Sequence, residues 1–197
     1  VHTLSGEEHV IAQEGYWTVE DLKAALASAA RVPVREQRLF AGTEELRPTQ
    51  LLRQALSGTS RSISLVRRSP AQAEWLEKVA ASPRCFVSAP SEVQEDREVA
   101  LAAVQQRGWL LEFASAALRA DRKVVLAAVQ EHGCALHFAA DALRADREVA
   151  LTAVRQDWSA LQSAAAPLCC DHEIVLAALK QDWRAVLFVD EKVRGDR

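Results

Sequence analysis

Two groups of residues in this chain have the types that do chemistry. Cys169, Cys170, Asp171, His172 and Glu173 place two thiols, two carboxylates and an imidazole side by side, and such donors bind zinc when their spacing lets them converge on one ion. Here the usual spacing is missing, because structural zinc sites use separated pairs of ligands. Asp171 also falls on a repeated position where it would cap a helix. His132 and His137 lie five apart around Gly133; they read as exposed turn histidines, with ligation or proton transfer as the alternative. No glycine loop for phosphate, no Gly-x-Ser-x-Gly elbow, no His-Glu-x-x-His and no spaced Cys-x-x-Cys pairs occur, and only 7 glycines are available. No catalytic, cofactor-binding or metal-ligating residue is therefore expected.

Aromatic residues point to binding. Trp109, Trp158 and Trp183 lie at turns, and Phe113, Phe138 and Phe188 share one repeated position. Two readings stay open for these six. They seal neighbouring units together, or they form a strip for a protein partner, since large aromatics are favoured at interaction hot spots.

The elements that position these residues come from an internal repeat. Asp96, Asp121, Asp146 and Asp171 stand 25 residues apart and each opens a similar phrase, as in "DREVALAAV" and "DRKVVLAAV". Asp is a preferred N-cap, and Glu follows at 98, 148 and 173, where the helix dipole favours negative charge. The spacing of Val99, Leu101 and Val104, repeated at 124, 126 and 129, predicts a first helix with its apolar face. Gly108 and Gly133 are expected to end it with left-handed backbone. Leu111, Ala114 and Leu118, repeated as Leu136, Ala139 and Leu143 and as Leu161, Ala164 and Leu168, predict a second helix. Helices this short are stable only when stacked. Full units are assigned to 96–120, 121–145, 146–170 and 171–195, with a degenerate unit at 75–95 carrying Trp75, Leu76 and Phe86. "GDR" at 195–197 looks like the opening of another unit.

These units resemble tandem helical repeats of families known only as a domain of unknown function, whose phrase Asp-x-Glu-x-Val-Leu-x-Ala-Val precedes a glycine and then Ala-Leu-x-x-Ala-Ser-x-x-Leu. The resemblance spans roughly 84–194 and implies an all-α, solenoid-like array with no activity attached.

Residues 1–68 differ in kind, and "SPAQAE" at 69–74 reads as a linker. "TLSG" at 3–6 suggests a hairpin turn, 18–32 a helix capped by Thr18 with Val19, Leu22, Leu26 and Ala29 on its apolar face, and 60–68 an alternating strand. With "VPVREQRLFAG" at 32–42 followed by Glu44, Glu45 and Leu46, this stretch is similar to ubiquitin-like domains, which implies an α+β (β-grasp) fold. Three departures bear on its role. The first strand is represented only by its end. "QRLFAG" is one apolar residue short of that family's string, which disturbs the outward face. The last strand runs on into "RRSPAQAE", so no free Gly-Gly terminus exists there for conjugation.

A net charge of -3 and a pI near 6.0 supply no clustered cation face for phosphate, so nucleic acid is not an expected partner. No apolar run approaches the ~20 residues of a membrane-spanning helix. Four cysteines in helical segments are expected as reduced thiols. The chain opens on Val1 and contains no methionine, from which upstream residues are expected, with an intracellular location that becomes organellar if a targeting segment has been removed. The function expected is non-catalytic: a protein-interaction or assembly subunit, a scaffold at the periphery of a large complex, membrane-bound or not. A ubiquitin-pathway adaptor and an uncharacterised enzyme are the alternatives.

Overall fold

A computed structural model describes residues 1–3, 16–55 and 63–189. The expected turn at 4–6, the start of the strand at 60–62 and the end of the last unit from 190 lie outside the described residues. The chain divides into two compact units, Val1–Glu74 and Trp75–Arg197.

Among the described residues the first unit has a four-stranded sheet in the order β1-β4-β2-β3, with two helices. Its elements are β1 (His2–Thr3), α1 (Val19–Ala29), β2 (Gln37–Ala41), β3 (Glu44–Glu45), α2 (Leu52–Ala55) and β4 (Ile63–Arg67). β1 runs parallel to β4, and β2 runs antiparallel to both β4 and β3. Thr18 and Asp21 form a reciprocal capping box at the start of α1. Val19, Leu22 and Leu26 are buried against Leu39 and Leu65, whereas Ala29 is exposed. Gly42 takes a positive φ of 63° in the tight turn from β2 to β3. The pairing of β2 with β4 is regular, so Leu39 stays inward and Phe40 lies on the other face, where the Arg38 guanidinium sits 5.0 Å from its ring. Gln37 is buried, and its amide donates to the Lys23 and Val32 carbonyls at 2.9 and 2.7 Å, tying β2 to α1.

Residues 70–74, read as part of the linker, are helical, and the boundary between the two units falls after Glu74. Ser69 accepts from the Gln72 amide at 3.1 Å and Pro70 occupies the first turn of α3 (Pro70–Ala81). Serine before proline is a helix-start signal, since proline's missing N–H is one the first turn leaves unpaired anyway.

The second unit is a stack of near-identical layers. After α3 come a 3-10 turn at Pro83–Ser88 and α4 (Ser91–Gln94). The first full layer is α5 (Arg97–Gln106), a 3-10 turn at Gly108–Phe113 and α6 (Ala116–Arg119). The next is α7 (Arg122–Glu131), Gly133–Phe138 and α8 (Asp141–Arg144). Then come α9 (Arg147–Gln156), Trp158–Ser163 and a 3-10 turn at Ala166–Cys170, followed by α10 (His172–Leu179) and Trp183–Phe188. Residues 75–95 thus carry the element order of a layer.

The expected second helix is broken in the layers that begin at Asp96, Asp121 and Asp146, for a non-local reason. Ala114, Ala139 and Ala164 are extended. The amide that follows each leaves the helical pattern and donates one layer back: Ser115 to Gln94, Ala140 to Arg119 and Ala165 to Arg144, at 3.1, 2.9 and 3.0 Å. The apolar stripe survives this break, with Leu111, Leu136 and Leu161 fully buried and Ala114, Ala139 and Ala164 nearly so. On the first helices the sealed positions are Val99, Ala100, Ala103 and Val104 and their counterparts in α7 and α9, while Leu101 and Leu126 are only half-buried. Burying one leucine fully is worth about 1.5–3 kcal/mol.

Gly108 and Gly133 do not adopt left-handed backbone; Gly42 is the positive-φ glycine among the described residues. They are needed for close approach. A Cβ at Gly108 would overlap the carbonyl oxygen of Ala128, and one at Gly133 that of Ala153, each in the next layer.

Charged residues lace the layers together. Asp121, Asp146 and Asp171 each accept from two amides of their own helix. Each also pairs with an arginine one layer back: Arg97, Arg122 and Arg147, at 2.6, 3.3 and 2.8 Å. Arg122 and Arg147 reach further, to Glu148 at 2.5 Å and Glu173 at 2.7 Å. These half-exposed charges form an ion-pair ladder along the array. Hydrogen bonding to Arg97 holds the Asp121 carboxyl below the usual carboxylate range, and Arg147 does the same for Asp171. For Asp146 the leading cause is the Val149 amide, with Arg122 assisting.

Candidate partner-binding cleft

The six candidate aromatics do not form one uniform strip. Trp109 stands edge-on to Phe113, with ring centroids 6.0 Å apart and planes at 82°. Trp158 packs on Phe188 of the next layer at 6.2 Å. These four rings are half-buried against the core, as is Phe138, so each seals apolar surface. Trp183 differs, at 71 % exposed.

A cleft of about 400 Å³ opens beside this line of rings, with Trp109, Phe138 and Ala135 among its apolar walls. His132 and His137 also line it, together with Ser159 and Ser163. The structure brings together Trp109, Phe138 and the two histidines, and leaves Trp158, Phe188 and Trp183 outside the lining. The repeat explains where the space comes from. Down one column of the 25-residue repeat the residues are Trp109, Cys134, Ser159; down another they are Phe113, Phe138, Ser163, Phe188. At the third layer both columns shrink to serine, and the missing rings leave a hollow.

Two lining residues, Cys134 and Ser159, belong to a small polar network with Asp157 that sequence reading missed. Ser159 donates its hydroxyl to Asp157 at 2.7 Å and its amide to the same carboxylate at 2.9 Å. The Cys134 thiol lies 3.0 Å from the Ser159 hydroxyl and donates to Asp157 at 3.4 Å. Burial pushes the Cys134 thiol up, beyond what its Ser159 hydrogen bond offsets, so it stays neutral at pH 7. Burial also works to raise the Asp157 carboxyl, but bonds from Ser159 and Cys134 and the nearby His132 hold it below the ordinary range. The outcome is an ionised carboxylate beside a protonated thiol.

The Cys169–Glu173 run is used structurally. Asp171 caps α10 and binds Arg147, Glu173 binds Arg147 and Arg155, and the Cys169 thiol faces the Leu161 carbonyl at 3.8 Å. Among the described residues no group of three or more His, Cys, Asp or Glu is placed to hold a metal ion. No helix there is long and apolar enough to cross a membrane.

Stacked layers of short helices, joined by repeated contacts and lined with aromatics, define a helical-repeat protein. The model of a family described as a domain of unknown function, DUF4116, matches residues 76–119, 121–168 and 146–194. These matches cover more than half of the chain, and the chain belongs to that family. No curated protein and no solved structure matches it.

Proposed function

We propose that this chain is a non-catalytic protein-interaction subunit whose repeat array serves as a scaffold within a larger intracellular assembly. The observation that carries the proposal is the cleft: a concave, largely apolar site of the size that binding pockets have, set in an array whose layers are cross-bonded.

The test uses the full chain with a photo-crosslinking residue at Gln162, on the cleft wall, or at Lys123, on the exposed ion-paired face. Discrete crosslinked partners from position 162, absent from position 123, are the expected result. Equal, diffuse labelling from both positions would remove the support.

For the first unit we infer a ubiquitin-like fold. In its favour are the parallel pairing of the first and last strands, the intervening helix, and the buried Gln37 that ties that helix to β2. A role as ubiquitin-pathway adaptor is the second reading, resting on that likeness alone. Titrating the full chain against a panel of receptors for ubiquitin-like domains tests it, and failure to bind any of them leaves the scaffold reading.

A further inference from the structure

The geometry points to the chemical class of ligand that the cleft takes: we infer that it receives a single aromatic side chain from an extended segment of a partner protein. This rests on the interaction reading above and goes further by naming what enters.

The inference follows from comparing two successive joints of the array. Between the third and fourth layers, Trp158 and Phe188 meet with ring centroids 6.2 Å apart. The corresponding positions 25 residues earlier are Gly133 and Ser163, neither of which carries a ring. Gly133 is held tight against the Ala153 carbonyl, so the backbone closes part of that gap. The rest stays open as the cleft, with Ser163 on its wall. At Ser163 the line of rings is interrupted between Phe138 and Phe188, and the cleft there keeps Trp109 and Phe138 on its wall.

Size and polarity agree. A cavity of about 150 Å³ suffices for benzene, so a cleft of about 400 Å³ admits a phenyl or indole ring together with part of the chain that bears it. Aromatic pairs prefer edge-to-face or offset contact at 4.5–7 Å between centroids, the arrangement that Trp109 already makes with Phe113. The exposed imidazole of His137 and the amide of Gln162 border the same space. They offer hydrogen bonds to the peptide groups on either side of the inserted ring, which favours a peptide over a free hydrocarbon.

The experiment titrates N-acetyl-phenylalaninamide into the full chain and follows the Trp109 indole and His137 imidazole resonances by NMR, with N-acetyl-alaninamide as the control. Saturable shifts at both residues with the phenyl compound, and none with the control, are expected. Ser163→Phe supplies the missing ring from within and should weaken binding at least tenfold without lowering the thermal midpoint. Should that variant fold poorly, Ser159→Leu narrows the cleft from its other side and should do the same. Absence of saturable shifts at Trp109 and His137, or undiminished binding by a folded filled variant, overturns the inference. Crosslinks from position 162 that persist in the filled variant would show the inserted ring to be wrong while the scaffold reading stands; loss of every crosslink in the unsubstituted chain would remove both.

Discussion

The amide of Gly108 donates to the carboxylate of Glu131 at 2.5 Å, across the joint between two layers. The same bond recurs from Gly133 to Gln156 at 2.5 Å and from Trp158 to Gln181 at 3.0 Å. At these three joints one side chain at or just past the end of a first helix satisfies an amide of the preceding layer, and at Gly108 and Gly133 that amide belongs to a buried residue. Glu131→Ala should cost about 1–3 kcal/mol, the price of an unpaired buried donor. Glu131→Gln, which restores the acceptor found at the later joints, should retain most of the stability. Urea denaturation of the two variants beside the unsubstituted chain checks this.

Gly108→Ala and Gly133→Ala test close approach against backbone conformation. Were these glycines left-handed caps, the cost would come from φ; here it comes from a Cβ driven into the Ala128 or Ala153 carbonyl. Each substitution should cost about 1–3 kcal/mol by overpacking. The crystal structure of either variant should show the adjoining layers displaced with φ unchanged, and a shift of φ into the positive range would contradict the assignment.

Acid should loosen the joints. The Asp121, Asp146 and Asp171 carboxyls titrate below their unfolded value. The stability they contribute is fully present above the unfolded pKa, near 4, and is lost as pH falls through the lower folded values. The thermal midpoint should therefore hold steady from neutrality to about pH 5 and fall below pH 4. The triple variant Asp121→Asn, Asp146→Asn, Asp171→Asn should start lower and show a shallower fall. A parallel fall in both proteins would assign the acid sensitivity to other groups.

The tryptophans of the candidate strip should separate. Trp158→Ala removes a half-buried ring that rests on Phe188 and should cost about 3 kcal/mol or more. Trp183→Ala removes a ring that is 71 % exposed and should stay within about 0.5 kcal/mol, as surface substitutions usually do. Calorimetry on both variants decides it, and equal losses would show the two rings to be equivalent mortar.

How much of this was legible in the residues depends on the reach of each interaction. The capping aspartates and the 25-residue register were plain, because N-capping is local and a repeat displays its own spacing. The broken second helix was not, since the amides of Ser115, Ala140 and Ala165 find their partners a whole layer away. The glycine positions were visible but their cause was not: only the fold shows which carbonyl lies opposite. Ser69-Pro70 carried a readable helix start that a general impression of linker composition obscured. The cleft lay in between. A serine at 163 in a column of phenylalanines stands out once the columns are aligned, yet nothing local says whether the backbone closes over such a gap.

The ladder of aspartates has a consequence for how a chain of this kind can change over time. Each Asp answers at once to its own helix and to the arginine 24 residues before it, and the glycine and alanine amides obey the same period. A one-residue insertion or deletion within a layer throws all of these out of step together. Removing or duplicating 25 residues from one Asp to the next leaves each joint facing a joint of its own kind. Length in such a protein is quantised: viable variants differ by whole layers, and small indels are confined to the ends.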